Sequence, residues 1–173
     1  MNKKIKVIIS LVVIIVILLC FIPRNKQDDN KKQNDALSHD ITTIEKYKSK
    51  YVGNVSNIGN LFDTLPLNNV SKKYEINSKD CTLTVNYLDT VEDVGKQKVQ
   101  RDLIYNSIAA MASIDNLNAI TYNFSGDSYF FSKKQLEEIF KTPLNTLLDK
   151  EIWVEQVQKP LNSNTFVEQF YLS

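Results

Sequence analysis

The chain has 173 residues, room for one domain plus appendages, with 21 basic and 20 acidic residues and a formal net charge of +1. From Glu45 onward the balance is 14 Lys and Arg against 16 Asp and Glu, 14 − 16 = −2, a surface with no field to draw in nucleic acid. Two cysteines, Cys20 and Cys81, fall in regions of different character and provide no disulfide framework.

Lys3, Lys4 and Lys6 precede the run Val7–Ile22, VIISLVVIIVILLCFI. Counted from Ile5, its 18 residues reach roughly 27 Å as a helix, enough to cross a hydrocarbon core. The reading is an N-terminal membrane anchor over residues 1–23, a single-pass span with the N-terminus cytoplasmic and the domain outside. Phe21-Ile22-Pro23 lacks the small residues of a signal-peptide cleavage site, and Leu19 before Cys20 lacks the small residue of a lipobox. An uncleaved anchor therefore leads, and lipidation of Cys20 stays open as the alternative. Residues 24–44 are polar, with few apolar positions, and read as a disordered linker. The single histidine, His39, lies in this stretch and is assigned no role.

A folded domain is expected over residues 45–173. Asn54 is placed to cap a helix in which Val55, Ile58, Leu61, Phe62 and Leu65 recur at helical spacing, with Gly53 at positive φ before it and Pro66 after it. Lys72–Asn77 and Cys81–Leu88 read as a hairpin. In the second strand Cys81, Leu83, Val85 and Tyr87 alternate with Thr82, Thr84 and Asn86, which predicts one buried and one polar face. Asp89–Gly95 reads as a solvated acidic loop. A helix is predicted over Lys98–Ile114, with Asn116 as a left-handed cap. Strands follow at Ala119–Phe124 and Ser128–Phe131, and Ser132 with Gln135 forms an S-x-x-Q start to the next helix. Thr142-Pro143 opens another helix; Ile152–Val157 fits helix or strand, with helix favoured to about Gln158. The resulting class is α+β, a mostly antiparallel sheet of three or four strands with helices packed on one face, preceded by one transmembrane helix.

No catalytic, cofactor-binding or metal-binding residue is expected, and the ligand-binding residues stay open. The chain has no Walker, dinucleotide-binding or nucleophile-elbow glycine motif and only one Cys in the domain. Glu137-Glu138 could suggest an acid–base pair, but adjacent helical residues diverge by about 100°, so they read as surface charge. Cys81 reads as a small buried hydrophobe, with a reactive thiol as the sharper alternative. Tyr129, Phe130, Phe131, Phe166, Phe170 and Tyr171 form the aromatic set from which a binding surface or more core would be built.

Two blocks carry a family resemblance. Tyr47-Lys48-Ser49-Lys50-Tyr51-Val52-Gly53-Asn54, followed by Leu65-Pro66-Leu67, is similar to the opening of the bacterial domain of unknown function 4825. Ile114-Asp115-Asn116-Leu117-Asn118-Ala119-Ile120-Thr121-Tyr122 resembles its second block, and Ser128–Ser132 with Leu136 the aromatic run that follows. Asn54 and Ser113 depart from the pattern, where Asp and Leu are expected. The resemblance implies membrane-associated domain identity and no particular activity. The functional expectation is a membrane-anchored extracytoplasmic binding or sensing module of unknown ligand, acting through a membrane-protein partner and binding no nucleic acid. The alternative is a structural subunit permanently docked on another membrane protein.

Overall fold

The computed structural model describes residues 31–171. The expected span and the first part of the expected linker lie outside these residues. No helix among the described residues is long and apolar enough to cross a membrane.

Four strands form one sheet in the order β1 (Lys72–Asn77), β2 (Thr82–Tyr87), β3 (Ala119–Asn123), β4 (Ser128–Ser132). β1 and β2 are an antiparallel hairpin, as are β3 and β4, but β2 and β3 run parallel. The mostly antiparallel sheet expected from the alternating strands is thus corrected to a mixed one. The reason is connectivity. A helix of about 18 residues carries the chain some 27 Å back before β3 begins, and such a crossover restarts a neighbouring strand in the same direction.

That helix, α3 (Lys96–Ser113), is the centre of the domain, following α1 (Val55–Phe62) and the four-residue α2 (Val91–Val94). It buries residues on all sides. Ser107 donates to the Leu103 carbonyl and lies 3.2 Å from the Tyr122 hydroxyl of β3. Tyr105, about 200° around the helix, instead meets Trp153 and His39 at ring-centroid distances of 4.8 and 5.2 Å. The sheet therefore lies on one side of α3, and the segments bearing His39 and Trp153 lie on the other. Helices are not confined to a single layer.

The inner sheet face reads across the strands as Tyr74–Val85–Tyr122–Tyr129 and Ile76–Leu83–Ile120–Phe131. Leu83, Val85, Ile120, Tyr122 and Phe131 are fully buried. Phe62 of α1 packs its ring 5.7 Å from Tyr74 and 6.4 Å from Tyr122, joining helix to sheet. Lys72 also points inward, and its ammonium donates to the Leu67, Asn68 and Val70 carbonyls at 3.2 Å each.

Local signals are largely realised. Asn54 caps α1, accepting from the Asn57 N–H at 3.1 Å, and Ser132 caps α4 (Lys133–Phe140), accepting from the Gln135 N–H at 3.2 Å. Four details differ. Positive φ falls at Leu67, Cys81, Lys141, Gly95 and Gly126, not at Gly53 or Asn116. Val55 is 59% exposed, outside the apolar face of α1. The acidic loop contains α2, closed by a Thr90–Asp93 capping box. Leu144–Leu148 is a 3-10 segment with Pro143 before its first residue, and Thr142 bonds to Thr146 instead of capping it.

The C-terminal part runs through α5 (Lys150–Trp153), a π-helical turn (Val154–Gln158) and α6 (Asn164–Glu168). The end of the expected linker is also folded. Residues 31–44 belong to the same compact unit, and Ala36, His39, Ile41 and Ile44 are buried. This strap was illegible as structure because its apolar residues are too sparse to repeat.

Candidate functional site

The strap is fixed by buried polar groups. His39 is 2% exposed; its Nε2 donates to the Thr64 carbonyl at 3.0 Å, so its Nδ1 accepts from the Tyr105 hydroxyl at 2.8 Å in the neutral ring. Burial holds its pKa down, from 6.5 to about 4. The Gln158 amide donates to the carbonyls of Ala36 and His39 at 2.9 and 2.8 Å. Asp102, on the central helix, accepts from the Ala36 N–H at 2.8 Å and pairs with Lys98, which also donates to the Asn34 carbonyl. Burial pushes the Asp102 carboxyl up to about 6, against the pull of Lys98. These are the strongly shifted acid–base groups a search for catalysis would turn to, and both are engaged in holding the strap. The sequence signal for them was weak: His39 sits in a polar stretch, and Asp102 follows Lys98, Gln100 and Arg101 in the polar first half of its helix.

The sheet's other face is differently made. Its rows are Lys73–Asn86–Asn123–Ser128, Glu75–Thr84–Thr121–Phe130 and Asn77–Thr82–Ala119–Ser132. Ala119 apart, these side chains are exposed or half-buried, so no described element covers the face. A chain of side-chain hydrogen bonds crosses all four strands. Ser128 donates to Asn123, Asn123 to Asn86 and Asn86 to Glu75, each at 2.8 Å. The face is amide- and hydroxyl-rich, with Lys73 and Glu75 near one edge and Phe130, 61% exposed, at the other. Such a surface can meet a polar partner through hydrogen bonds without desolvating a net charge.

Beside β4 lies a groove of about 480 Å³ lined by Lys96, Gln100, Asp127, Tyr129, Phe130 and Tyr171. Of the aromatic set, Phe131 and Phe170 are core, Tyr129, Phe166 and Tyr171 are half-buried, and Phe130 alone stands out on the open face. Glu137 and Glu138 both line a second groove of about 500 Å³ with Lys133 and Lys134. Glu137 accepts from the Leu144 N–H at 3.2 Å, and Glu138 faces Lys134 at 3.9 Å. Among the described residues no cluster of three or more His, Cys, Asp or Glu is arranged to hold a metal ion.

The two sequence blocks singled out above meet in space. The Ser49 N–H donates to the Ser113 carbonyl and the Asp115 N–H to the Ser49 carbonyl, both at 2.9 Å. The Asn116 side chain accepts from the Val52 N–H at 2.8 Å and donates to the Cys81 sulfur at 3.3 Å. Cys81 is therefore not on the inner sheet face. It sits half-exposed at φ 55°, just before β2, with its sulfur 3.6 Å from the Ser78 carbonyl.

The family model for the domain of unknown function DUF4825 matches residues 44–136, more than half of the chain. The chain belongs to that family. No curated protein and no solved structure matches it. The DUF4825 match takes in α1, all four strands, α3 and both blocks of the Ser49–Asn116 junction, so every residue of the open face lies inside it. His39, Trp153 and Gln158 lie outside.

Proposed function

We propose that this DUF4825 protein is a membrane-anchored binding or sensing module, with its domain outside the cytoplasm, that acts through a partner engaging the open face of the sheet. The observation that carries the reading is that face: four strands bearing a continuous hydrogen-bonded polar surface with nothing described over it. The basic start and apolar run of residues 3–22 support the anchor, and the all-basic tail supports the orientation. A non-catalytic role is supported by the engagement of His39 and Asp102 in packing the strap. The large exposed apolar side chains Tyr51, Val55, Leu88, Phe130 and Ile152 sit on different elements, which favours a binding module over a permanently docked subunit with one contiguous apolar patch.

The test is crosslinking of the full chain in intact cells, comparing wild type with Thr84→Arg and, separately, Thr121→Arg on the two central strands. Both positions are half-buried on the open face, so each variant is expected to keep its melting temperature within about 4 °C. Partner capture should fall about tenfold, the effect of roughly 1.4 kcal/mol of lost affinity. Undiminished capture by both variants would overturn the reading.

A further inference from the structure

The two edges of the sheet are differently protected. β1 carries Lys72, Lys73 and Glu75, charges of the kind that discourage strand addition. β4, Ser128-Tyr129-Phe130-Phe131-Ser132, has no charge and no proline. Its outward backbone groups can be assigned from the ladder. The Phe124 N–H donates to the Asp127 carbonyl and the Lys133 N–H to the Asn118 carbonyl, both at 2.8 Å, so odd-numbered residues pair with β3. The N–H and C=O groups of Ser128, Phe130 and Ser132 consequently face the edge that no described residue pairs with, beside the open groove at Asp127–Phe130.

The strand is also self-complementary about Phe130. Antiparallel pairing of two copies centred there sets Ser128 against Ser132 of the partner subunit and Tyr129 against Phe131 of the partner subunit. One step further out, Asp127 lies opposite Lys133 of the partner subunit, whose ammonium is held by the Ile114 and Asp115 carbonyls, so the exposed Lys134 next in the chain is the cation that faces the carboxylate. The symmetry makes each of these contacts twice, so a carboxylate faces one exposed lysine at each end of the pairing.

We infer that β4 is the docking edge for a second copy of this chain, the two strands pairing antiparallel about Phe130 into one continuous eight-stranded sheet. The charge match at both ends and the uncharged self-complementary centre select a second copy over an unrelated extended peptide. The two open faces then form one surface of twice the width. This inference stands independently of the binding role proposed for that face.

The experiment uses the full chain in membranes, with Cys20→Ser and Cys81→Ser as background, and reads disulfide-linked dimer after mild oxidation. Phe130→Cys should crosslink, because residues facing each other across such a pair have Cα atoms about 5.5 Å apart, within disulfide reach. Lys73→Cys, on the same face at the opposite edge, should not. Ser128→Cys and Ser132→Cys should crosslink when co-expressed and much less when either is alone, which reads the register. Asp127→Lys added to Phe130→Cys should lower the crosslinked fraction about fivefold, as expected for two lost ion pairs of roughly 0.5 kcal/mol each. Circular dichroism of each variant checks that the fold is kept. Exclusively monomeric Phe130→Cys, or equal crosslinking by Lys73→Cys, would overturn the inference. Failure of the dimer leaves the Thr84→Arg and Thr121→Arg comparison untouched, because those positions lie on β2 and β3.

Discussion

At the scale of single residues, His39 and Asp102 make opposite demands on pH. His39 is held neutral by burial, with a pKa of about 4 against 6.5 for an ordinary histidine. Between those values the unfolded chain binds the proton that the folded chain refuses. The His39 contribution is therefore fully present above pH 6.5 and is lost as pH falls toward 4. Asp102 runs the other way: its carboxyl is pushed up to about 6, so its charge penalises the folded state above that pH and the penalty lifts as pH falls toward 3.8. The two effects are of similar size, about 3 kcal/mol each, and offset one another in the wild-type chain. A His39→Gln variant removes only the first. Its stability relative to wild type should improve by roughly 2 to 3 kcal/mol on going from pH 7.5 to pH 4.5, measured by urea denaturation at both pH values. A pH-independent difference would show that His39 is not the buried neutral group described.

At the scale of elements, the strap separates what the sequence made legible from what it did not. Residues 31–44 add Ala36, Ile41 and Ile44 to the core and satisfy Asp102 and Gln158. A chain beginning at Lys31 should be more stable to urea than one beginning at Glu45 by at least about 3 kcal/mol, since each isoleucine alone contributes on the order of 2 kcal/mol or more. Equal stability would mean the strap is loosely attached. The strands and the central helix could be read to within about two residues, because alternation and helical spacing are local properties of Thr82–Tyr87 or Leu103–Met111. The strap's partners are distant: Ala36 meets Asp102 across 66 positions and Gln158 across 122. No local period records such contacts. The parallel β2–β3 pairing was within reach, because a long helix between two strands implies a crossover, but alternation in β2 outweighed it. For the candidate face, Thr82, Thr84 and Asn86 were legible as its polar side. The ladder joining Ser128, Asn123, Asn86 and Glu75 was not, because it depends on the register of three strand pairs.

At the scale of the whole molecule, one side of the sheet is spent on the core and the other is covered by no described element. The central helix is enclosed by the sheet on one side and by the strap and C-terminal segments on the other, so it leaves little of its own surface for contact. The family match is centred on the sheet side, and the reinforcement of the helical side comes partly from residues outside it. The proposed recognition is accordingly placed on the open face, and the buried face holds the fold together. The most direct measurement is a positional photocrosslinking scan in intact cells. A photoreactive residue is placed singly at Thr84, Thr121 and Lys73 on the open face, and at Lys141, Glu151 and Glu155 on the helical side. The expected result is capture of the same partner from all three sheet positions and from none of the helical ones. Capture of that partner from the helical positions, with none from the sheet, would contradict the assignment of recognition to the open face.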